Sequence, residues 1–273
     1  MAERLSGLSL NLECGILGQA VGSGNGDNIM CGYCGCGHDH EHTHEHEHDH
    51  AHDSRIIQIE QDILGENQRF ADQNRAYFAK NHIVALNLMS SPGSGKTTLL
   101  IETIRALKQR CAISVIEGDQ QTDLDAKRIA ATGVPVLQIN TGKACHLDAH
   151  RIGHALGDLA LSNNSILFIE NVGNLVCPAL FDLGEKAKVV ILSVTEGDDK
   201  PLKYPHMFAE ASLMIINKID LLPYVSFNVE QCIEYAKRVN PHIAVLQTSA
   251  TTHQGIAPWC DWLLEAHNKK ITT

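Results

Sequence analysis

Basic side chains are in short supply in this chain. Lysine and arginine together number 22 against 32 aspartates and glutamates, a formal net charge of -10 over 273 residues. Six of those acids (Asp39, Glu41, Glu45, Glu47, Asp49 and Asp53) share one short tract, so the rest stands near -4 once they are taken from the -10. Neither part offers the basic face that a nucleic-acid partner wants, and no such partner is expected. Long apolar runs are missing as well. No stretch of the chain approaches the roughly 18 apolar residues of a membrane helix, which argues against membrane insertion. The N-terminus lacks a basic segment leading into a continuous apolar core, because Asn11 and Glu13 interrupt the candidate. With no export signal, a cytoplasmic protein is expected. There the nine cysteines, an odd count, read as thiols and ligands rather than disulfides.

What is present is unevenly spread. Residues 1–29 are flavoured with Gly, Ser and Asn, residues 30–53 are low-complexity, and from about Arg55 the composition is that of an ordinary globular domain. The expected division is a disordered metal-binding arm over 1–54 and a globular domain over 55–273. In the arm, MCGYCGC places Cys31, Cys34 and Cys36 close enough for one flexible loop to wrap one ion. Behind them come eight histidines, His38, His40, His42, His44, His46, His48, His50 and His52, mostly alternating with Asp and Glu. A purification tag would run without interleaved acids. Imidazoles on such an arm suit weak, exchangeable capture or storage of several cations, with a solvated linker as the alternative.

From His82 one theme repeats. HIVALNLM (82–89), AISVIE (112–117), VPVLQI (134–139), SILFIE (165–170), KVVILSV (188–194), SLMIIN (212–217) and HIAVLQ (242–247) read as buried strands. Helical spacing occupies 99–110, 123–132 and 147–161 between them. Near-continuous apolar strands alternating with amphipathic helices predict an α/β fold, a mostly parallel sheet covered by helices on both faces. Ligands in such a sheet sit beyond the carboxyl ends of the strands.

The loops at those ends carry nucleotide chemistry. SSPGSGKTT (90–98) follows the first strand and opens a helix, the arrangement of a P-loop NTPase. The backbone from Gly93 through Ser94 and Gly95 to Lys96 cradles phosphates, Lys96 reaches the outer phosphate oxygens, and Thr97 ligates magnesium beside Thr98. Ser90 stands where the usual pattern has its first glycine, and a small residue can make that turn. The second strand ends at Asp119, a candidate magnesium-shell or water-positioning acid for which Glu117 competes. The fourth closes on Glu170, at the position where a carboxylate holds the metal's hydration shell. Lys96, Asp119 and Glu170 are thus the catalytic candidates. NKID (217–220) identifies the base: Asp220 can accept from N1–H and N2–H₂ of guanine, a pair that adenine lacks. Asn217 would brace the loop, Lys218 would lie across the base, and the backbone amides of Ser249 and Ala250 would meet guanine O6.

P-loop, strand-end acid, NKxD and SA, in this order, resemble the nickel-incorporation GTPases of hydrogenase maturation, the HypB family within the SIMIBI class of P-loop GTPases. The resemblance spans roughly residues 30 to 270. It implies slow GTP hydrolysis to GDP and phosphate, a nucleotide-linked homodimer, and nickel delivery to the large subunit of a [NiFe]-hydrogenase. It also implies a small zinc-containing maturation protein of the HypA type as partner and, in some organisms, a proline isomerase.

Soft and borderline ligands for Ni(II) or Zn(II) lie in two further loops, Cys145 and His146 before one helix and Cys177 after Glu170. By spacing alone these could equally be core thiols and a solvated histidine, since no CxxC pair is present. The resemblance carries them as the internal metal site. One chain supplies three such ligands, so sharing across a dimer is an economical way to complete the set. His150 and His154 continue a stripe from His146, while Cys111, Cys232 and Cys260 read as buried thiols. Cys177 follows Glu170 by seven positions, which suggests that GTP turnover alters the metal site. The Cys31-Cys34-Cys36 motif is similar to one that directly follows the initiator methionine in part of the family. Here it follows Met30: either translation starts there, the favoured reading, or a genuine arm has consumed the amine ligand. The rivals are a urease-type nickel GTPase, which would carry Cys-Pro-His where this chain has Cys177-Pro178-Ala179, a GTP-dependent chaperone for cobalamin enzymes, and a nickel storage protein.

Overall fold

Strands form where the apolar runs are densest. In the computed structural model, which describes residues 49–120, 122–142 and 144–269, β1 spans Val84–Ser90, β2 Ala112–Asp119 and β3 Val136–Asn140. β4 (Ser165–Glu170), β5 (Ala187–Ser193), β6 (Leu213–Asn217) and β7 (Ala244–Gln247) follow. All seven lie in one sheet of order β3-β2-β4-β1-β5-β6-β7, and every pairing is parallel. Where a mostly parallel sheet was expected, the described sheet is wholly so. Strands buried on both faces cannot alternate with polar residues, which is why β1, β4 and β6 are buried at every position.

Helices cover both faces. One face takes α2 (Lys96–Leu107), α3 (Leu124–Ala130) and α9 (Ile256–Asn268), whose Leu99, Ile104, Ile129 and Trp259 pack on Val84, Leu86, Val115 and Phe168. Trp259 also donates its Nε1 hydrogen to Thr103 Oγ1 at 2.8 Å, so the large ring is buried without an orphaned donor. The other face takes α1 (Asp49–Lys80) and α4 (Ala149–Asp158) on Ala85, Ile116 and Leu167. Beside them α7 (Pro205–Ala209) and α8 (Val229–Val239) pack on Val190, Leu192, Met214 and Ile216. Two single-turn helices, α5 (Cys177–Leu180) and α6 (Lys200–Lys203), occupy strand-end loops, each with proline in its first turn. Each fully buried Leu, Ile or Phe contributes about 1.5–3 kcal/mol of transfer free energy.

The long α1 was not foreseen, and it begins within the segment expected as an arm. Cys31, Cys34, Cys36 and the histidines from His38 to His48 lie outside the described residues, whereas His50 and His52 fall on the first residues of α1. Among the described residues no helix is long and apolar enough to cross a membrane. One feature of the strand order positions the chemistry: β4 lies between β1, which runs into the P-loop, and β2, which carries the second acid.

Candidate functional site

The P-loop begins without the glycine that its usual pattern has. Ser90 is fully buried at the end of β1, its hydroxyl donating to Ser91 O at 2.9 Å, and its φ is not positive. Glycine is required further on. Gly93 and Gly95 sit at φ 74° and 88°, and a Cβ on Gly95 would stand 2.7 Å from Asn217 Nδ2. Gly95 is also the N-cap of α2 and offers no side chain to it. The first amides of this helix are therefore not capped by a side chain, as an anion-binding N-terminus needs.

Asn217 joins three motifs. Only 1% exposed, it donates Nδ2 to Ser94 O at 2.9 Å and accepts on Oδ1 from the Thr248 hydroxyl at 3.1 Å. Lys218, in the left-handed region at φ 62°, donates Nζ to Gly93 O at 2.7 Å, so its stem lies over the P-loop. Asp220 follows in a 3-10 turn, Ile219–Tyr224, half-buried. Ser249 and Ala250 are both buried. The Ser249 amide, however, donates to Gln254 O at 2.9 Å and is used inside its own loop, which puts the expected amide contact to a base on Ala250. Thr98 accepts from Arg128 Nη2 at 3.2 Å, tying α2 to α3.

The acids sort themselves by register. Glu170 accepts from Thr97 Oγ1 at 2.6 Å and lies 3.3 Å from Lys96 Nζ. Its partner across β2–β4 is Glu117, and the two carboxylates, 2% and 4% exposed, share one side of the sheet. Burial, reinforced by the charge of Glu170, pushes the Glu117 carboxyl up to about 8. Asp119 behaves differently. Its carboxylate accepts from the Gln120 amide, the Thr122 amide and the Thr122 hydroxyl at 2.6, 3.1 and 2.7 Å, holding its own turn. The buried acid facing Glu170 is therefore Glu117. One Oε2 on each of Glu117 and Glu170 is buried without a hydrogen bond, which suits a bound cation. A hard divalent ion such as magnesium fits this donor set of two carboxylates and a hydroxyl.

The thiols gather a short way off. Cys145 Sγ lies 2.8 Å from Cys177 Sγ, too far for a disulfide, and 3.7 Å from His146 Nδ1. One ligand atom from each of the three falls within 4.8 Å of the others. His146 stacks on Phe181 with ring centroids 3.9 Å apart, and burial holds its pKa below the ordinary imidazole value, against the pull of Asp148. A neutral imidazole keeps the lone pair that a metal takes. The remaining described cysteines are not brought into this cluster. Cys232 and Cys260 are buried and Cys111 half-buried, and burial pushes the Cys232 thiol to about 12.

Residues unnoticed in the sequence hold the cluster. Asn67 on α1 accepts from the Ala149 amide at 2.9 Å and donates to Asp182 O at 2.8 Å. Two turns along the same face, Asn74 donates to Ala149 O and Leu183 O. Two asparagines of one helix thus tie the start of α4, just after His146, to the segment just after α5. Asp148 fixes the same start by accepting from the Arg151 amide at 2.8 Å. A second tie runs to the nucleotide side. Asn171, next to Glu170, accepts on Oδ1 from the amide of Leu147, next to His146, at 3.1 Å. The Leu147 side chain lies against Gly118, where any Cβ would meet it at 2.8 Å, between Glu117 and Asp119.

The fold and this constellation define a P-loop nucleotide-binding domain, and the profile of the CobW/HypB/UreG nucleotide-binding domain matches residues 84–247. A hydrogenase maturation factor HypB of Azotobacter vinelandii is 62% identical over 210 residues, 77% of this chain and 69% of that protein. The crystal structure of HypB from Archaeoglobus fulgidus aligns at TM-score 0.71 and 41% identity over 75% of this chain and 100% of that one. HypB from Helicobacter pylori, crystallised in complex with nickel, aligns at 0.70 and 39% over 76% and 98%. The chain belongs to the HypB family of hydrogenase maturation factors.

Proposed function

We propose that this chain is a GTP-hydrolysing nickel carrier that delivers Ni(II), as a homodimer, to the large subunit of a [NiFe]-hydrogenase in the cytoplasm. A small zinc-containing maturation protein is the partner that the family suggests, and zinc is the rival ion for the cluster. The P-loop amides and Lys96 bind the phosphates, Asp220 selects guanine, and Glu170 with Glu117 or Asp119 frames the reacting phosphate. Magnesium, held by Thr97 and Glu170, would neutralise phosphate charge. Nickel is cargo, taken by the Cys145 and Cys177 thiolates and the His146 imidazole.

The observation that carries this reading is the Leu147–Asn171 hydrogen bond of 3.1 Å. It joins the residue after a metal ligand to the residue after the phosphate-side acid, so a shift of Glu170 on γ-phosphate loss is passed to His146. Two sites without a shared element would suit storage; a shared one suits release on cue. The test is turnover by the full chain. GTP should yield GDP and phosphate while ATP is spared, and nickel should bind in a ratio that rises on adding the nucleotide. No preference for GTP over ATP would overturn the proposal.

A further inference from the structure

A polar side chain stands in the middle of a core strand. Asn87 lies on β1 with no exposed surface, on the face where Ala85 packs under α1 and α4, shortly before Ser90 opens the P-loop. An apolar residue of that size would need no partner there, whereas a buried amide costs free energy unless it is hydrogen-bonded. Asn87 has two partners. Its Oδ1 accepts from Asn171 Nδ2 at 3.2 Å, and its Nδ2 donates to Glu185 Oε1 at 3.2 Å. Glu185, also buried, accepts on Oε2 from the Leu183 amide at 2.6 Å.

The chain of bonds has a direction. At one end the Leu147 and Val172 amides donate to Asn171 Oδ1 at 3.1 and 3.0 Å. That turns the Asn171 amide nitrogen toward Asn87, and so the Asn87 nitrogen toward Glu185. At the other end the Leu183 amide donates as well. Donors thus converge from both sides on residue 185, which has to accept on both of its oxygens. A carboxylate does this, whereas a glutamine of the same length would set one N–H against another. Burial raises the Glu185 carboxyl above its ordinary value, opposed by the Lys188 ammonium and the Leu183 amide.

Cys177 lies between Asn171 and Glu185. Both ends of the segment that carries this metal ligand are therefore fixed to one side chain, on the strand that leads into the P-loop. Leu183 is held from behind too, its carbonyl accepting from Asn74 Nδ2 at 3.1 Å. Taking the chain as the coupled carrier described above, on which this step rests, we propose that Asn87 and Glu185 are positioning residues for the Cys177 thiolate. They form a second arm by which the nucleotide pocket reaches the metal cluster. The Leu147–Asn171 bond leads to His146, and the Asn171–Asn87–Glu185–Leu183 chain leads to the far side of Cys177. A shift at Glu170 moves Asn171 beside it, and with it the anchor on which the Cys177 segment closes.

The test is the nickel dissociation constant of the full chain with saturating GDP and with a non-hydrolysable GTP analogue, compared among three proteins. The wild-type constants should differ by at least about fivefold, and those of Glu185→Gln by no more than about twofold. The double variant Asn87→Asp with Glu185→Gln moves the carboxylate to position 87. There it accepts from Asn171 and from the new amide, whose carbonyl is left for Leu183, so the wild-type difference should return. A difference that Glu185→Gln retains would overturn the two roles and leave the carrier standing. A folded double variant that does not regain it would overturn them as well. Equal wild-type constants would bring down the coupled carrier itself, and this arm with it. Should Glu185→Gln not fold, hydrogen exchange at the Leu183 amide of the wild-type chain decides. A rate that changes at least about threefold between the two nucleotides supports the arm, and an unchanged rate overturns it.

Discussion

Around the P-loop the holding contacts come from strand ends and their own loops: Asn217 from β6, Thr248 after β7, Glu170 from β4 and Glu117 from β2. Around Cys145, His146 and Cys177 they come from α1, a helix whose Asn67 and Asn74 stand far away in sequence and clasp two loops at once. The nucleotide pocket is thus set by the sheet itself. The metal cluster, on a loop and a single-turn helix, depends on an outside clasp, and loops so held are where small displacements cost least. That contrast is what the proposed carrier, with its switched affinity, would need: a firm trigger and a yielding grip.

Each region can be perturbed without the other. The largest effect is expected at the P-loop: Lys96→Ala should lower GTP turnover about 1,000-fold, measured as phosphate release, because the developing phosphate charge loses its half-buried cation. The next concerns pH. Glu117 is raised from 4.5 to about 8, so in the nucleotide-free chain its cost is absent below the ordinary carboxylate range, grows as pH rises and is complete above about 8. Glu117→Gln should therefore stabilise the nucleotide-free protein by roughly 2 kcal/mol at pH 8.5 and much less at pH 5, read from urea midpoints. The cluster works in the opposite sense, since the lowered pKa of His146 makes falling pH costly. The smallest effect is at the clasp. Asn67→Ala strips the Ala149 amide of its partner and should weaken nickel binding about tenfold, by equilibrium titration, while the preference for GTP over ATP stays.

The two regions were also unequally legible in the sequence. Short β-branched runs announced every strand, and NKID with SSPGSGKTT announced the pocket, because phosphate and guanine recognition fix residue type at fixed spacing. Which acid faces Glu170 was not legible. Glu117 and Asp119 are two residues apart on one strand, and the choice is made by the β2–β4 register and by the Thr122 turn that occupies Asp119. The helix α1 escaped notice for a related reason. It buries Asn67 and Asn74 beside Ala71 and Phe78 while exposing Ile59 and Ile63, so its apolar period is blurred. The clasp on the metal cluster was hidden with it. Cys145, His146 and Cys177 had neither a spacing signature nor a visible scaffold, and resemblance alone marked them.

The central claim, that the pocket and the cluster share one moving part through Asn171 and Leu147, is tested most directly by the nickel dissociation constant of the full chain. It is measured once saturated with GDP and once with a non-hydrolysable GTP analogue. The two values should differ by at least about fivefold, the lower edge of ordinary coupling between sites. Equal constants in the two states would contradict the claim.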